Sequence, residues 1–334
     1  MNTTTRKKTW NWVKQNMIMF AFVALFIIFG FLSPVFLHSD NLLNITRQIS
    51  FRGIAAVGMM LVILTGGIDL SIGSTVQLVN VICPLLMVKQ GVSPFVAILA
   101  CFGVALLIGL FNGLLVAKVK IPPMIVTMAS MNAINGAAFL ISGGQPVFGF
   151  DDSFAFMGQG YLGIIPIPTI IMFCMFIIGA FVLKKTTFGR SLYAIGGNEE
   201  AARLSGVNVD RTKIWAYVLN SLFACAAGIL MLSRLMSGTP NTGKGFEFEV
   251  ITAVVLGGVS VSGGSGRVFS VIFGVLIIGV LNNGLTLIGL NTYWQLVFNG
   301  LVLVLAVSAD YISKRRSSTV VDSDSKEETV KSEG

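Results

Sequence analysis

Long apolar stretches recur along the whole chain, and they constrain its fold more than any other feature. The 334 residues are 54% hydrophobic and only 11% charged, whereas about a quarter of the residues in soluble chains are charged. A water-soluble domain with this composition could not cover its surface with polar groups. We therefore predict an all-α, polytopic membrane protein.

The apolar stretches predict about ten membrane-spanning helices. A helix of about 17 to 25 apolar residues crosses the hydrocarbon core, and most of the stretches reach that length. The others are shorter because the Gly-rich segments TGGIDLSIGS and GGVSVSGGSGR interrupt them, so we expect these spans to end or bend within the membrane. The long spans are residues 17–37, 94–117, 123–142, 167–183, 214–236, 268–290 and 293–311, and the short ones are 53–65, 71–88 and 250–262.

Lysine and arginine residues decide the orientation, because cytoplasmic loops carry an excess of them. With ten alternating spans, the basic residues of both chain ends, of segment 184–213 and of the Lys118 to Lys120 turn fall on one side. Both termini are therefore predicted to be cytoplasmic. The predicted parts are a cytoplasmic amino-terminal segment (1–16), a transmembrane domain (17–312) and a polar tail (313–334) that we expect to be disordered.

The inventory of reactive side chains excludes several functional classes. The four cysteines lie inside apolar runs without a CxxC pair, and the single histidine, His38, lies at the end of the first span. We therefore predict no metal site, no cofactor and no enzymatic activity of the chain itself. The net charge of +8 needs no nucleic acid to explain it, because orientation and anionic membrane lipids account for basic residues at the cytoplasmic edge.

One segment partly matches the sequence pattern of a nucleotide-binding loop. Residues 238–245, GTPNTGKG, fit the pattern G-x-x-x-x-G-K, but Gly245 stands where a phosphate-binding loop needs Ser or Thr to hold magnesium. The segment also follows a membrane span instead of a strand, and the predicted topology puts it outside the cell. We therefore expect a polar external loop without a nucleotide site.

Asp69 is the only charged residue within segment 53–88. An acidic side chain deep in a bilayer costs about 2.5 to 3.5 kcal/mol, so it should face protein or water. We favour a structural role, in which Asp69 caps the helix that begins near Leu70 by accepting amide hydrogens near Ser71, or lies at the interface. The alternative is a proton or cation site of an ion-coupled secondary transporter, although no second intramembrane acid is available to relay a proton.

Amide and hydroxyl side chains recur inside the predicted spans. Each must find a hydrogen-bond partner or border a wet cavity, and neutral donors and acceptors suit an uncharged polyhydroxylated solute. For any single residue, hydrogen bonding between helices is the alternative interpretation. The residues that we assign to a translocation path are Thr65, Asp69, Ser71, Ser74, Asn112, Asn282 and Asn283.

Residues 184–213 form the only sizeable polar stretch on the basic side, so we predict that a soluble partner docks there. Asn198 can cap a short helix over residues 199–205, and Gly206 can end that helix in a left-handed conformation. The alternative is an ordinary cytoplasmic loop that lipid charge stabilises.

Long segments of the chain resemble a known family. AVGMMLVILTGGIDLSIGS at residues 56–74, FGRSLYAIGGNEEAARLSGVNV at 188–209 and GFEFEVITAVVLGGVSVSGGSGR at 245–267 are similar to signature segments of the membrane permeases of ribose-type ABC importers. LNNGLTLIGLNTYWQ at 281–295 also resembles that family. The resemblance implies a dimer of permease subunits in the bacterial inner membrane. Such a dimer receives a monosaccharide, with ribose as the first candidate, from an external binding protein and is driven by a separate cytoplasmic ATPase.

The resemblance also implies roles for particular residues. The short helix would sit in a cleft of the ATPase and carry its closing motion into the spans. The external segments 143–168, with Asp151 and Asp152, and 238–249 are candidates for receiving the binding protein. The alternative is that both are solvated connections between spans. The residues carried over as the ATPase-coupling segment are Gly189, Arg190, Tyr193, Gly196, Gly197, Asn198, Glu199, Ala201, Arg203, Leu204 and Gly206.

Overall fold

The computed structural model describes residues 17–332, with side chains described over residues 18–312. The described part is almost entirely helical, which confirms the all-α prediction, and the segment 1–16 lies outside it. The helices are α1 (Met17–Leu32), α2 (Ser39–Leu64), α3 (Ile72–Pro84, continued by a π-helical turn over Leu85–Lys89), α4 (Pro94–Ala117), α5 (Pro123–Ser142), α6 (Asp152–Gln159), α7 (Ile167–Lys185), α8 (Thr187–Gly197), α9 (Glu199–Leu204), α10 (Val209–Leu235), α11 (Phe246–Leu256), α12 (Val268–Leu287) and α13 (Thr292–Ser332), and the antiparallel strands β1 (Tyr161–Leu162) and β2 (Ile165–Pro166) precede α7.

Eight of the described helices are long and apolar enough to cross a membrane. They are α2, α3 with its π-helical end, α4, α5, α7, α10, α12 and the first half of α13. One further apolar helix, α1, has 16 residues, and α11, which carries two glutamates, has 11. The eight long helices confirm the predicted polytopic all-α architecture.

The second span is longer than the sequence predicted. We expected residues 53–65, but α2 begins at Ser39 and contains 26 residues, and the first span correspondingly ends at Leu32. The prediction was wrong because a charged Arg52 ends the apolar run in the sequence. In the structure its guanidinium is paired with Glu249, so the helix continues through this position.

α10 lies at the centre of the described bundle, where α4, α3 and α2 pack around it. Gly109 and Gly113 allow α4 to approach α10 closely. A Cβ atom on Gly109 would lie 2.6 Å from the Cα atom of Val218, and one on Gly113 would lie 2.9 Å from that of Ile214. This GxxxG pair therefore acts in helix packing.

Residues 238–245 do not form the external loop that the sequence predicted. The segment turns back after α10 and runs beside α3, so that Gly238 packs against Pro84 and Gly243 against Gly73. Apart from two exposed side chains, its residues are buried or half-buried. The prediction was wrong because the glycines let this backbone approach α3 far more closely than a polar composition indicates.

The outer segment 143–168 is anchored to the bundle. Asp151 accepts a hydrogen bond from the backbone N–H of Ser153 at 2.8 Å and so caps α6. The carbonyl of Phe154 accepts a hydrogen bond from the hydroxyl of Ser233 on α10 at 2.5 Å. This segment therefore has a defined position at the outer end of α10.

The carboxy-terminal tail differs from the sequence prediction. We expected disorder over 313–334, whereas the backbone of α13 stays helical to Ser332. The sequence contains neither Gly nor Pro between Leu301 and Glu333. A helix that already exists in the membrane extends through such a segment without a new nucleation step.

Candidate functional site

The predicted coupling segment folds into two short helices, α8 and α9. The Oδ1 atom of Asn198 accepts a hydrogen bond from the backbone N–H of Ala201 at 2.9 Å and so caps α9. The chain leaves α9 through Gly206, whose φ is 84°. Both features confirm the sequence prediction, which needed only local capping chemistry.

The coupling residues divide into an outward and an inward group. The inward group, which is buried or half-buried, contains Gly189, Tyr193 and Gly196. Gly189 packs α8 onto α7, because a Cβ atom there would lie 2.3 Å from the carbonyl oxygen of Val182. The outward group, all exposed, contains Arg190, Gly197, Asn198, Glu199, Ala201, Arg203, Leu204 and Gly206.

The inward side of α8 touches the last residue of α2 and the second Gly-rich segment, between α11 and α12. A Cβ atom on Gly196 would lie 2.0 Å from the carbonyl oxygen of Leu64 and 2.2 Å from the backbone nitrogen of Gly264. The N–H of Gly264 itself donates a hydrogen bond to that carbonyl of Leu64 at 3.0 Å. We call this contact among Leu64, Gly196, Gly263 and Gly264 the glycine junction. It joins α8, the inner end of α2 and the turn between α11 and α12.

A side-chain hydrogen bond strengthens the same connection. The phenol of Tyr193 donates to the carbonyl oxygen of Gly266 at 2.9 Å. Burial raises the pKa of Tyr193, so the phenol stays protonated and remains a donor at neutral pH. α8 therefore contacts the α11–α12 turn through both backbone and side chain.

Ion pairs tie α9 to its neighbours. Glu199 accepts from Lys213 of α10 at 2.6 Å, and Arg203 lies 3.5 Å from Asp210 at the start of α10. Lys118, at the end of α4, lies 3.2 Å from the same Asp210. Exposed pairs of this kind contribute only about 0 to 1 kcal/mol each. Their effect here is to orient α9 relative to α4 and α10.

A chain of buried hydrogen bonds crosses the bundle at Asp69. Its Oδ2 atom accepts from Asn220 of α10 at 2.9 Å, and its Oδ1 atom accepts from the N–H and the hydroxyl of Ser71 at 2.9 and 2.6 Å. Asn112 of α4 then donates to the hydroxyl of Ser71 at 2.9 Å, and Ser130 of α5 donates to Asn112 at 2.5 Å. Four helices thus share one polar network.

This geometry agrees with the structural role that the sequence favoured for Asp69. Both carboxylate oxygens accept hydrogen bonds, the residue is 0% exposed, and α3 begins at Ile72 directly after the turn that Asp69 closes. A cation or proton site would need an open coordination position or a path to water. Asp69 therefore organises the start of α3.

The other residues assigned to a translocation path have local or separate partners. The hydroxyls of Thr65 and Ser74 donate to the carbonyls of Val62 and Ser71, one helical turn earlier. Asn283 exchanges two hydrogen bonds with Asn41, at 2.9 and 3.1 Å. The path assignment stays a prediction, and only Asp69, Ser71 and Asn112 are brought together.

Sequence reasoning missed a polar cavity between α2, α10 and α11. Its volume is about 230 Å³. The Nε atom of Arg52 donates to the Oε2 atom of Glu249 at 2.5 Å on its wall. The residues that line it are Gln48, Phe51, Arg52, Met231, Arg234, Leu235, Gly243, Lys244, Phe246 and Glu249.

Two amides lie behind this ion pair. Asn282 of α12 and Asn299 of α13 donate to the Oε1 atom of Glu249 at 3.1 and 3.5 Å. Of these four residues only Asn282 was assigned to a path from the sequence. The sequence does contain two opposite charges, Arg52 and Glu249, at the edges of apolar runs. They are 197 positions apart, so nothing in the sequence indicates that they pair.

The chain matches a family model described as branched-chain amino acid transport system / permease component over residues 41–307. The chain belongs to this family of permeases. The permease is 44% identical over 288 residues to the ribose import permease protein RbsC of Bacillus subtilis, which covers 86% of this chain and 89% of the relative. It is 38% identical over 309 residues to the L-arabinose transport system permease protein AraH of Escherichia coli, and this match covers 92% of this chain and 94% of the relative.

A third relative is also similar over most of the chain. The permease is 37% identical over 328 residues to the galactose/methyl galactoside import permease protein MglC of Haemophilus influenzae, covering 93% of this chain and 98% of the relative. No solved structure matches the permease at a significant level. Family membership and the long apolar helices together identify a multi-pass protein of the bacterial inner membrane.

Proposed function

We propose that this permease is the membrane subunit of an ABC importer that carries a monosaccharide into the cell. One observation carries the proposal: relatives named for ribose, arabinose and galactoside transport match 86 to 93% of the chain. The substrate is a ribose-like pentose, because ribose permeases have the highest identity among these relatives, at 44%. An ion-coupled secondary transporter is disfavoured by the same relatives and by the three protein hydrogen bonds that the buried carboxylate of Asp69 accepts.

ATP is hydrolysed by a separate soluble subunit, which docks on the outward group of coupling residues. Leu204 supports this role, because its side chain is 83% exposed on an otherwise polar surface and an apolar side chain gains free energy when a partner covers it. The ion pairs of α9 hold that surface in one orientation relative to α4 and α10.

The glycine junction transmits the movement of the ATPase into the membrane. When the ATPase subunits close, α8 moves with them. Because Gly196 contacts Leu64 and Gly264 without intervening side chains, α8 cannot shift without shifting the inner end of α2 or the α11–α12 turn. Coupling of this kind needs a contiguous element with two arrangements, and the junction supplies the contact.

Two other partners complete the importer. An external binding protein delivers the sugar to the outer segment 143–168, which is anchored on α10 through Phe154. The segment 238–249 is a weaker candidate than the sequence indicated, because most of it packs inside the bundle. A second permease subunit, identical in the simplest assembly, pairs with the first in the lipid bilayer.

Reconstitution tests this function. The permease is co-purified with an ATPase subunit that contains a phosphate-binding loop, placed in proteoliposomes, and supplied with a sugar-loaded binding protein. We expect uptake of D-ribose, L-arabinose or D-galactose that requires ATP and persists when an ionophore collapses the proton gradient. Uptake that continues without ATP and stops with the ionophore would contradict the proposal and restore the ion-coupled alternative.

A further inference from the structure

The ion pair of Arg52 and Glu249 is half-buried and lies near the middle of α2. Arg52 is twelve positions from the inner end of α2 at Leu64, which places it about 18 Å from that end at about 1.5 Å per residue. Charged side chains at such depth are costly and characteristically face a solute path or a water-filled cavity. Here both partners border the cavity between α2, α10 and α11. Their cost therefore calls for an explanation beyond packing.

The surroundings of Glu249 contain unused hydrogen-bonding capacity. Asn282 and Asn299 are only 3% and 4% exposed, and their Oδ1 atoms accept no hydrogen bond from the described residues. Arg52 uses Nε on Glu249 and Nη1 weakly on the carbonyl of Gln48, so Nη2 is left without a described partner. Buried acceptors without a partner are rare in native proteins. Hydrogen-bonding capacity is thus left over on Arg52 at the cavity wall and on the two amides behind the ion pair.

An acceptor, Glu249, and a donor, Arg52, on one cavity wall favour a ligand that can both donate and accept hydrogen bonds. A hydroxyl group both donates and accepts, so a polyhydroxylated molecule can donate to Glu249 and accept from Arg52. An anion could pair with Arg52, Arg234 or Lys244 on the wall, but it offers no donor to Glu249. Phe51 and Phe246 add apolar walls that can cover the C–H face of a ring. The volume of about 230 Å³ equals about eight water molecules at about 30 Å³ each, which suits a small solute.

We propose that this cavity is a binding subsite of the permease itself for a neutral monosaccharide, with Arg52 and Glu249 as the groups that contact its hydroxyls. Asn282 and Asn299 are positioning residues, because both donate to Glu249. Arg234 forms part of the wall, and its guanidinium donates to Asn44 at 2.8 Å. The subsite rests on the proposed function, since it receives the sugar that the importer carries.

The test compares sugars that differ by one hydroxyl. The complete importer is reconstituted with the double variant Arg52→Gln/Glu249→Gln, which removes both charges and so leaves no unpaired buried charge to unfold the protein. Uptake is measured for whichever of D-ribose, L-arabinose and D-galactose the wild-type importer carries, and for its monodeoxy analogues, with one binding protein throughout. Because the same binding protein is present in every measurement, its own preference among the sugars cancels when the uptake ratio of the variant is compared with that of the wild type.

We expect the wild-type importer to favour the parent sugar over at least one deoxy analogue, and the double variant to lose about tenfold of that preference, equivalent to about 1.4 kcal/mol. ATP hydrolysis stimulated by the binding protein should be retained. The matched control is Glu247→Gln, the same chemical change two positions away on α11, at a residue that does not line the cavity. It should keep the wild-type preference.

The outcomes separate the subsite from the proposed function. If every sugar ratio of the double variant equals that of the wild type, or if Glu247→Gln alters the ratios equally, the subsite is wrong while the importer function stands. If the wild-type protein shows no ATP-dependent uptake of any of these sugars, the proposed function itself is wrong.

Discussion

The phenol of Tyr193 donates a hydrogen bond to the carbonyl of Gly266 at 2.9 Å, so α8 is bonded directly to the turn between α11 and α12. Tyr193 is 73 positions from Gly266 in the sequence. The bond lies beside the glycine junction, and the two contacts give α8 a defined connection to α11 and α12.

Replacement of Tyr193 by Phe should weaken this connection without disturbing the packing of the ring. We expect the contact between α8 and the α11–α12 turn to lose about 0.5 to 1.5 kcal/mol of stabilisation, which is the net contribution of one hydrogen bond. We expect fewer sugar molecules to be transported per ATP hydrolysed, with thermal stability close to that of the wild type. The control is Tyr311→Phe, because Tyr311 is 68% exposed. Equal coupling in Tyr193→Phe and wild type would show that the bond has no part in transmission.

Two adjacent glycines allow a matched test of the glycine junction. A methyl group at Gly196 would collide with Leu64 and Gly264, whereas one at Gly197 meets nothing within 4 Å. Gly196→Ala should therefore lower the melting temperature and reduce uptake, while Gly197→Ala should leave the melting temperature unchanged. Similar thermal unfolding of the two variants would argue against the close contact.

Leu204→Ala should weaken docking of the ATPase subunit. Full burial of a leucine side chain stabilises a complex by about 1.5 to 3 kcal/mol, so we expect about a tenfold or greater increase in Kd. Titration of the ATPase onto the permease in nanodiscs measures this change. Leu162→Ala is the control, because Leu162 is 70% exposed on the outer hairpin. A Kd that Leu204→Ala leaves unchanged would remove α9 from the docking surface.

Asp69→Asn should destabilise the permease. The amide keeps one acceptor oxygen where the carboxylate has two, so it cannot accept the bonds from Ser71 and from Asn220 as they stand, at a cost of about 1 to 3 kcal/mol. We expect a lower melting temperature, with the remaining uptake still driven by ATP. Asp40→Asn, at an exposed position in the first turn of α2, serves as the control. Uptake by the wild type that an ionophore abolishes, and that Asp69→Asn eliminates, would instead support ion coupling.

Features that depend on local composition were predictable from the amino-acid sequence alone. Apolar run lengths predicted about ten spans, because a helix in lipid needs only enough apolar residues to cross the hydrocarbon core. The capped helix after Asn198 was also predictable, since its cap and its termination at Gly206 involve neighbouring residues only. Asp69 was correctly read as a residue that organises the start of α3.

Features that join distant parts of the chain became visible only in the folded molecule. Arg52 looked like the end of a span until Glu249 was seen to neutralise it inside the bundle. Segment 238–245 looked external until its glycines were seen to pack on α3. The physical reason is the same in each case. The free energy of a charge or a glycine in the membrane depends on what contacts it, and that contact comes from residues far away in the sequence.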